Sequence, residues 1–170
     1  LSDVEQTKAS VLGSFLPADL KMDEGEAIQD MVDPGDYRGS LILAFENGKL
    51  AHVPMEAWQT KTNRKKLLNA YSDKSPLVGI VPLTDAADVA LFTDDGRCLV
   101  VNSSLLTPKP TRNTQGVSAA TLRSRKKLVK ISLLRDANLA DPGRYRARNL
   151  PKAPVLLTPA DKGEEQMTLL

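Results

Sequence analysis

LILAFENGKLAHV, residues 41–53, decides the fold, because it returns 48 positions later as VALFTDDGRCLVV, residues 89–101. Each copy consists of an apolar run, a dipeptide that ends in glycine, and a second apolar run. The dipeptides Asn47-Gly48 and Asp95-Gly96 are typical of two-residue type I′ turns, whose twist suits two antiparallel strands. The sequence therefore predicts a β-hairpin in each copy.

The similarity between the two copies extends beyond the hairpins. At the same offset Arg64 aligns with Arg112, and after deletion of one residue Ile28 aligns with Leu77. A period near 48 residues is typical of radial or stacked repeats, in which one small antiparallel sheet buries its apolar face against the next. We therefore expect an all-β, propeller-like repeat of four-stranded antiparallel blades, with two complete blades and a partial one.

Turn and loop signals divide the chain into four parts. Residues 1–36 are interpreted as the tail of a preceding blade and an entry strand, and residues 37–83 and 84–140 as two blades. Residues 141–170 are interpreted as a C-terminal tail, partly disordered, because Pro, Gly and charge dominate this part of the chain.

The apolar pattern also predicts shorter elements within these parts. Asp3 is a candidate cap for a helix at residues 3–11, and one helical turn is expected at residues 55–59. Strands are expected at residues 28–32, 67–71, 77–83 and 121–134. The strand at 77–83 is expected to open the second blade.

The overall composition is typical of a globular chain. Its 170 residues are 41% hydrophobic, enough for a packed core. No apolar run approaches the roughly 18 residues of a membrane span, and no charged-then-apolar leader opens the sequence. The single cysteine, Cys98, has no disulfide partner. We therefore expect a cytoplasmic protein without a membrane partner and, since the first residue is Leu1, a piece of a longer chain.

The net charge of +2 conceals a strong segregation of charge along the sequence. Residues 1–37 contain nine acids and two lysines, whereas residues 96–135 contain nine Lys or Arg and no acid. A positively charged surface attracts polyanions. Phosphate binding is stronger where acids are absent, because each phosphate that a base neutralises releases counterions. The sequence therefore predicts a nucleic-acid surface. Its candidate residues are Lys61, Arg64, Lys65, Lys66, Lys74, Arg97, Lys109, Arg112, Arg123, Arg125, Lys126, Lys127 and Lys130.

The sequence offers no constellation for catalysis or metal binding. His52 is the only histidine, and it lies in a predicted strand without neighbouring ligands, so we expect a packing role and no metal site. No P-loop or Gly-x-Gly-x-x-Gly motif occurs. A stand-alone hydrolase would lack both a nucleophile and a base.

Several segments together resemble one family. ENGKLAHVP, DDGRCLVVN, TNRKKLLNAYSDKSPLVGIVPL and KPTRNTQGV resemble the C-terminal β-pinwheel of the A subunit of bacterial type IIA topoisomerases, the DNA gyrase and topoisomerase IV family. The likeness covers residues 7–134. It implies a ring or arc of blades whose basic rim binds and bends double-stranded DNA for strand passage.

The resemblance also implies what lies outside this chain. The catalytic tyrosine belongs to the amino-terminal part of the subunit, so Tyr37, Tyr71 and Tyr145 are not nucleophiles. The domain itself would need no cofactor, whereas ATP and Mg²⁺ would serve the holoenzyme. The partners implied are the remainder of the A subunit and the B subunit in an A2B2 assembly.

Two departures from the family pattern accompany this resemblance. The Gln-Arg-Arg-Gly-Gly-Arg/Lys-Gly box of gyrase is absent, residues 114–117 being only distantly similar to it, and two complete blades plus a partial one are visible against the family's five or six. Both departures favour a topoisomerase IV-like or unclassified subunit over a gyrase-like one. The alternative function is a propeller-like protein-interaction module that binds an acidic partner. In addition, QMTLL at residues 166–170 resembles the short peptides that dock on the DNA sliding clamp.

Overall fold

The computed structural model describes residues 8, 12–13, 15–62 and 67–162. Within these ranges the chain forms two four-stranded antiparallel sheets. The strands are β1 (Ser40–Phe45), β2 (Lys49–Pro54), β3 (Leu77–Leu83), β4 (Asp88–Thr93), β5 (Arg97–Asn102), β6 (Val117–Ser118), β7 (Leu128–Leu133) and β8 (Val155–Leu156). Short helices are α1 (Leu16–Asp19), α2 (Pro159–Lys162) and 3₁₀ turns at Met55–Trp58, Ser103–Leu105, Leu134–Asp136 and Pro142–Tyr145. The predicted all-β class is confirmed.

The two sheets repeat one topology. The first has the strand order β3-β1-β2-β6 and the second has the order β7-β4-β5-β8. The register shifts at equivalent places in the two sheets. The shift in the β1–β3 pair lies between Ala44 and Phe45, and the shift in the β4–β7 pair lies between Phe92 and Thr93. The 48-residue repeat in the sequence thus corresponds to two equivalent sheets.

Both predicted hairpins are confirmed, but the predicted turn type is wrong. Leu41 pairs with Val53 and Val89 pairs with Val101. Gly48 N–H donates to Phe45 O and Gly96 N–H to Thr93 O, and only the glycine of each dipeptide has a positive φ, 80° and 71°. A type I′ turn would require two positive φ angles, so each loop has three residues that end in a left-handed glycine.

Four strand predictions need correction. The strand at residues 77–83 pairs along β1, with Leu83 opposite Ser40, and so belongs to the first sheet and does not open the second. Residues 67–71 form a turn in which Asn69 has a φ of 56°, and the strand predicted from residue 121 begins only at Leu128, because Arg125 has a φ of 59°. Residues 28–32 form no strand. There the Asp30 carboxylate accepts hydrogen bonds from the main chain instead.

The C-terminal segment was expected to be a tail, but its residues Val155–Leu156 form the outer strand of the second sheet. Val155 and Leu156 of β8 pair with β5, as Val117 and Ser118 of β6 pair with β2. The approach to these two outer strands also repeats: Lys109 N–H donates to His52 O, and Ala147 N–H donates to Val100 O. Each sheet therefore takes its outer strand from farther along the chain. The division of the chain into four parts at residues 36, 83 and 140 stays a prediction. β6, which follows residue 83, pairs in the sheet of β1–β3, and β8, which follows residue 140, pairs in the sheet of β4, β5 and β7.

The two sheets face each other across the main core. Inward residues such as Ile42, Leu50, Leu91 and Leu99 are completely buried there. The two sheets approach each other at the edge strands β3 and β7, where a Cβ at residue 79 would be 3.1 Å from Ile131 Cγ2. Side chains of alternating residues of β1 and β4 point to the two outer faces, as the period of two requires.

Both outer faces are covered by other parts of the same chain. Trp58, Val32 and Tyr37 pack on the outer face of the first sheet. On the second sheet Tyr145, which is completely buried, packs against Cys98 and Val100. Burial raises the pKa of the Cys98 thiol to about 12, so this cysteine is a packing residue.

A polar cluster fixes the C-terminal segment over the second sheet. The Tyr145 hydroxyl and the Thr158 hydroxyl both donate to Asp161 Oδ2, the latter at 2.6 Å, and Ala140 N–H donates to Asp161 Oδ1 at 2.6 Å. The hydrogen bonds from Thr158 and Tyr145 lower the pKa of Asp161 below its ordinary value of 3.8.

We expect Gly48→Ala to destabilise the fold more than Gly96→Ala. Both substitutions carry a left-handed strain of about 1–2 kcal/mol. A Cβ at residue 48 would also lie 2.5 Å from Ala120 O, whereas a Cβ at residue 96 would meet nothing closer than 3.9 Å. Urea unfolding of both variants measures the difference, and equal losses would contradict the close approach at Gly48.

We expect Asp161 to make stability fall at acidic pH. Its pKa is lowered on folding, so its contribution is present above the unfolded value and is lost as pH falls through the folded value. Urea unfolding between about pH 6 and pH 2 should therefore show a smaller decline in Asp161→Asn than in the unmodified chain. Parallel pH profiles for the two proteins would show that this carboxylate makes no such contribution.

Candidate nucleic-acid interface

At one end of the molecule, here called the turn end, two further segments lie beside the two hairpin turns. Asn47 N–H donates to Ser75 Oγ at 3.2 Å, which holds loop 72–76 beside the first turn. Asp94 N–H donates to Lys127 O at 3.0 Å, which holds the end of the segment 119–127 beside the second turn. This segment, the crossover loop, carries the chain from the first sheet to the second.

The crossover loop is held at both ends by main-chain hydrogen bonds. Ala119 N–H and Ala120 N–H both donate to Gly48 O, at 3.1 and 2.9 Å, and Leu128 N–H donates to Glu46 O at 2.9 Å. Between these anchors Lys126 N–H donates to Arg123 O at 3.0 Å, which closes a tight turn. The loop therefore has a defined shape.

The crossover loop presents its cations to solvent. Arg123, Arg125 and Lys126 are exposed, and in the part of the chain that the structure describes none of them makes an ion pair. Lys127 is different, because its Nζ lies 3.1 Å from Glu46 Oε1 and its N–H donates to Asp94. This loop therefore carries three cations that have no ion pair with the described residues.

Two further predicted residues border the turn end. Lys74 lies in loop 72–76, exposed and 3.9 Å from Asp73. Lys130 on β7 pairs with Phe92 and places its ammonium 5.6 Å from the centre of that ring. We call Lys74, Arg123, Arg125, Lys126 and Lys127 the turn-end surface.

Arg97 was predicted to bind nucleic acid, but its charge is engaged within the fold. Its Nε lies 3.2 Å from Asp95 Oδ2, and its Nη1 donates to Pro154 O at 3.2 Å. A hydrogen bond from Thr93 and the Arg97 charge lower the pKa of Asp95. Arg97 thereby holds the hairpin turn to the outer strand.

Arg112 is likewise a structural residue in this conformation. Its guanidinium donates to Ala57 O at 3.0 Å, to Asn69 O at 3.1 Å and to Leu68 O at 3.5 Å. It therefore joins the segment before β6 to residues 57, 68 and 69. Its place in the basic segment predicted a phosphate contact. Hydrogen bonds from a half-exposed arginine to distant carbonyls leave no pattern in the sequence.

Two of the remaining predicted residues, Lys109 and Lys61, fall among the described residues. Lys109 is half-buried on the outer edge of the first sheet, where its main chain bonds to His52 O. Lys61 is exposed in the segment that follows the 3₁₀ turn Met55–Trp58. Arg64, Lys65 and Lys66 lie outside the described residues, as do residues 3–7 and 166–170.

His52 is a packing residue with both ring nitrogens occupied. Nδ1 lies 3.0 Å from Leu106 O, which can only accept, so Nδ1 carries the proton and Nε2 accepts from Ser40 Oγ at 2.8 Å. Among the described residues no group of three His, Cys, Asp or Glu side chains is arranged to hold a metal ion. Nor does any described helix have the length and apolarity needed to cross a membrane.

The sequence interpretation missed the basic residues beyond residue 140. Lys152 N–H donates to Ala119 O and Lys152 O accepts from Thr121 N–H, so this residue adjoins the crossover loop. The criterion applied to residues 96–135, bases without acids, would also have selected Lys152, because residues 142–160 contain four bases and no acid. Lys152 was not considered because residues 141–170 were interpreted as a tail.

Comparison with solved structures identifies the fold. The chain is similar to the crystal structure of the C-terminal domain of DNA topoisomerase IV, with a TM-score of 0.63 and 20% identity over 72% of this chain and 38% of that one. It also matches a DNA gyrase A C-terminal domain (TM-score 0.47, 18% identity, 59% of this chain and 33% of that one) and the E. coli ParC C-terminal domain (0.46, 12%, 59% and 41%). The sequence matches no protein-family model and no curated protein.

The resemblance inferred from the sequence is thus confirmed at the level of fold. The fold is that of the β-pinwheel found in the C-terminal domain of topoisomerase A subunits. The chain spans 38% of the length of the solved topoisomerase IV domain.

We expect Arg112→Ala to lower stability and Arg123→Ala to leave it nearly unchanged. The first substitution leaves three carbonyls without their charged donor, at a cost of about 1–3 kcal/mol, whereas Arg123 is exposed and makes no ion pair with the described residues. Thermal unfolding of the two variants measures this. Equal melting temperatures would show that the Arg112 hydrogen bonds contribute nothing net.

Proposed function

We propose that this chain, which has the fold of a topoisomerase IV C-terminal domain, is a non-catalytic DNA-binding and DNA-bending domain of a type IIA topoisomerase A subunit. It would hold duplex DNA for strand passage. The observation that carries the proposal is the crossover loop, which is fixed at both ends and exposes Arg123, Arg125 and Lys126 without acid partners among the described residues.

The chemistry of this surface suits phosphates better than bases. Guanidinium and ammonium groups on an exposed loop can neutralise the closely spaced charges of a duplex. Sequence reading needs an α-helix or a two-stranded ribbon that enters the major groove. The described helices have only three or four residues each, and both hairpins are the central strands of four-stranded sheets. We therefore propose contacts to the DNA backbone that depend little on base sequence.

The two ends of the molecule differ in how many exposed cations lack an acid partner. At the end opposite the turn end, around the start of β1 and the end of β7, Arg38 lies 2.9 Å from Asp36 and Arg135 lies 3.9 Å from Asp136. At the turn end the crossover loop carries three exposed cations that make no ion pair with the described residues. This difference supports the turn end as the side that attracts phosphates.

The proposal extends to the rest of the assembly. The catalytic tyrosine, ATP and Mg²⁺ would belong to other parts of an A2B2 holoenzyme in the cytoplasm. Tyr145 is completely buried, with its hydroxyl bonded to Asp161, which supports a structural role. Docking of residues 166–170 on the sliding clamp stays a separate prediction.

The test is the salt dependence of DNA affinity in Arg123→Glu/Lys126→Glu. If both side chains bind phosphates, the slope of log affinity against log salt should become shallower by roughly two, because each lost phosphate contact removes about 0.9. Fluorescence anisotropy with a labelled duplex of roughly 30 base pairs measures the affinity. Base sequence should change it little.

Arg38→Glu/Arg135→Glu is the matched control. It makes the same change in charge at exposed sites, 89% and 81% exposed, at the opposite end of the molecule. It should leave the slope nearly unchanged. If the unmodified chain binds polyglutamate as tightly as DNA, the alternative of a module for acidic protein partners would replace the proposal.

A further inference from the structure

Ser40 and His52 lie side by side at the end of the molecule opposite the turn end. Ser40 begins β1, and His52 in β2 pairs with Ile42, so the alternation of side chains places Ser40 and His52 on the same face of the first sheet. His52 Nε2 lies 2.8 Å from Ser40 Oγ. The sequence did not indicate this pair, because the two residues are 12 positions apart and only the antiparallel register brings them together.

The main chain of Leu106 orients the His52 ring. Nδ1–H donates to Leu106 O at 3.0 Å, which leaves the lone pair of Nε2 to accept from the Ser40 hydroxyl. Leu106 is itself buried, and its N–H donates to Ser103 O at 3.0 Å. A hydroxyl bonded to a base that a third group orients is the arrangement that activates serine as a nucleophile. The hydrogen bonds that pack His52 therefore also direct its lone pair at Ser40.

The pair borders a cleft of about 380 Å³. This cleft lies between the start of β1, the end of β2, loop 84–86 and the 3₁₀ turn Ser103–Leu105. Ser40 and His52 both line it and are only half-buried, so a small molecule in the cleft can reach the Ser40 hydroxyl. The apolar side chains of the lining are those of Pro54, Ala86, Leu106 and Pro108.

We propose that Ser40 is the nucleophile and His52 the general base of an acyl-transfer site that hydrolyses small, uncharged carboxylic esters. The apolar lining suits a short acyl chain, and the carboxylate of Asp85, which also lines the cleft, disfavours substrates that carry a negative charge. This activity is separate from the proposed function, in which the chain takes no part in the chemistry of strand passage. It also uses the end of the molecule opposite the turn-end surface.

The reaction needs only the ester, water and the two side chains. Ser40 Oγ bonds to the ester carbonyl carbon while its proton passes to His52 Nε2, and Nδ1–H keeps its hydrogen bond to Leu106 O. The tetrahedral intermediate expels the alcohol, which takes the proton from Nε2, and acyl-Ser40 remains. His52 Nε2 then takes a proton from water while the water oxygen bonds to the acyl carbon. The carboxylic acid leaves as Ser40 Oγ takes that proton back.

The experiment treats the whole chain with p-nitrophenyl acetate, because acylation of Ser40 releases p-nitrophenol, which is coloured as its anion. We expect a burst of up to about one p-nitrophenol per chain, with the acetyl group located on Ser40 by mass spectrometry. Ser40→Ala should abolish the burst, and His52→Gln should slow acylation by about 100-fold or more. Ser118→Ala is the matched control, because it removes an exposed strand hydroxyl at the turn end, and it should leave the burst unchanged.

The absence of a burst, acetylation at other residues only, or an unchanged rate in His52→Gln would overturn the proposal. If thermal unfolding shows that a variant does not fold, the unmodified chain decides: Ser40 should be acetylated in the folded chain and not in urea, and equal acetylation in both would show that the fold does not activate it. The salt dependence of DNA affinity should be the same in Ser40→Ala as in the unmodified chain. The acyl-transfer site and the proposed function can therefore fail separately.

Discussion

The carbonyl of Gly48 accepts two main-chain hydrogen bonds, from Ala119 and Ala120, and most of the architecture depends on this contact. It brings the chain that follows the second hairpin back to the first turn, which places β6 beside β2 and starts the crossover loop. The contact is possible because residue 48 lacks a Cβ, which would lie 2.5 Å from Ala120 O. A glycine selected for turn geometry thus also permits the joining of two sheets, and the cations of the crossover loop take their positions from it.

The fold also decides which basic side chains remain available to a ligand. Basic residues that look equivalent in the sequence differ in the groups that they contact in the structure. Arg112 donates to the carbonyls of residues 57, 68 and 69, and Arg97 pairs with Asp95. Arg125, in the tight turn, is exposed to solvent. Only the cations that do not bind groups within the fold are available to a polyanion. The candidate surface is therefore smaller than the basic segment from which it was predicted.

Local patterns in the sequence predicted the local elements well. The two hairpins and the 3₁₀ turn after β2 follow from apolar runs and turn residues, and these depend on neighbours within a few positions. The outer strands could not be predicted in this way, because β6 and β8 have two residues each and pair with strands far away in sequence. Val155–Leu156 carries no alternation that could distinguish a strand from a tail. The conformation of Arg125, with a φ of 59°, was equally hidden, since it depends on how the crossover loop is anchored.

The late origin of each outer strand has a consequence for synthesis of the chain. β2 ends at Pro54, yet its partner β6 begins at Val117, so the first sheet has an unpaired edge until the ribosome has added more than sixty further residues. At a translation rate of roughly 5–20 residues per second this interval lasts several seconds. During that time the edge of β2 can pair with another nascent chain, as exposed strand edges do. Codons between the two hairpins that slow translation would lengthen this vulnerable period, so the yield of folded protein depends on the speed of elongation as well as on the final stability.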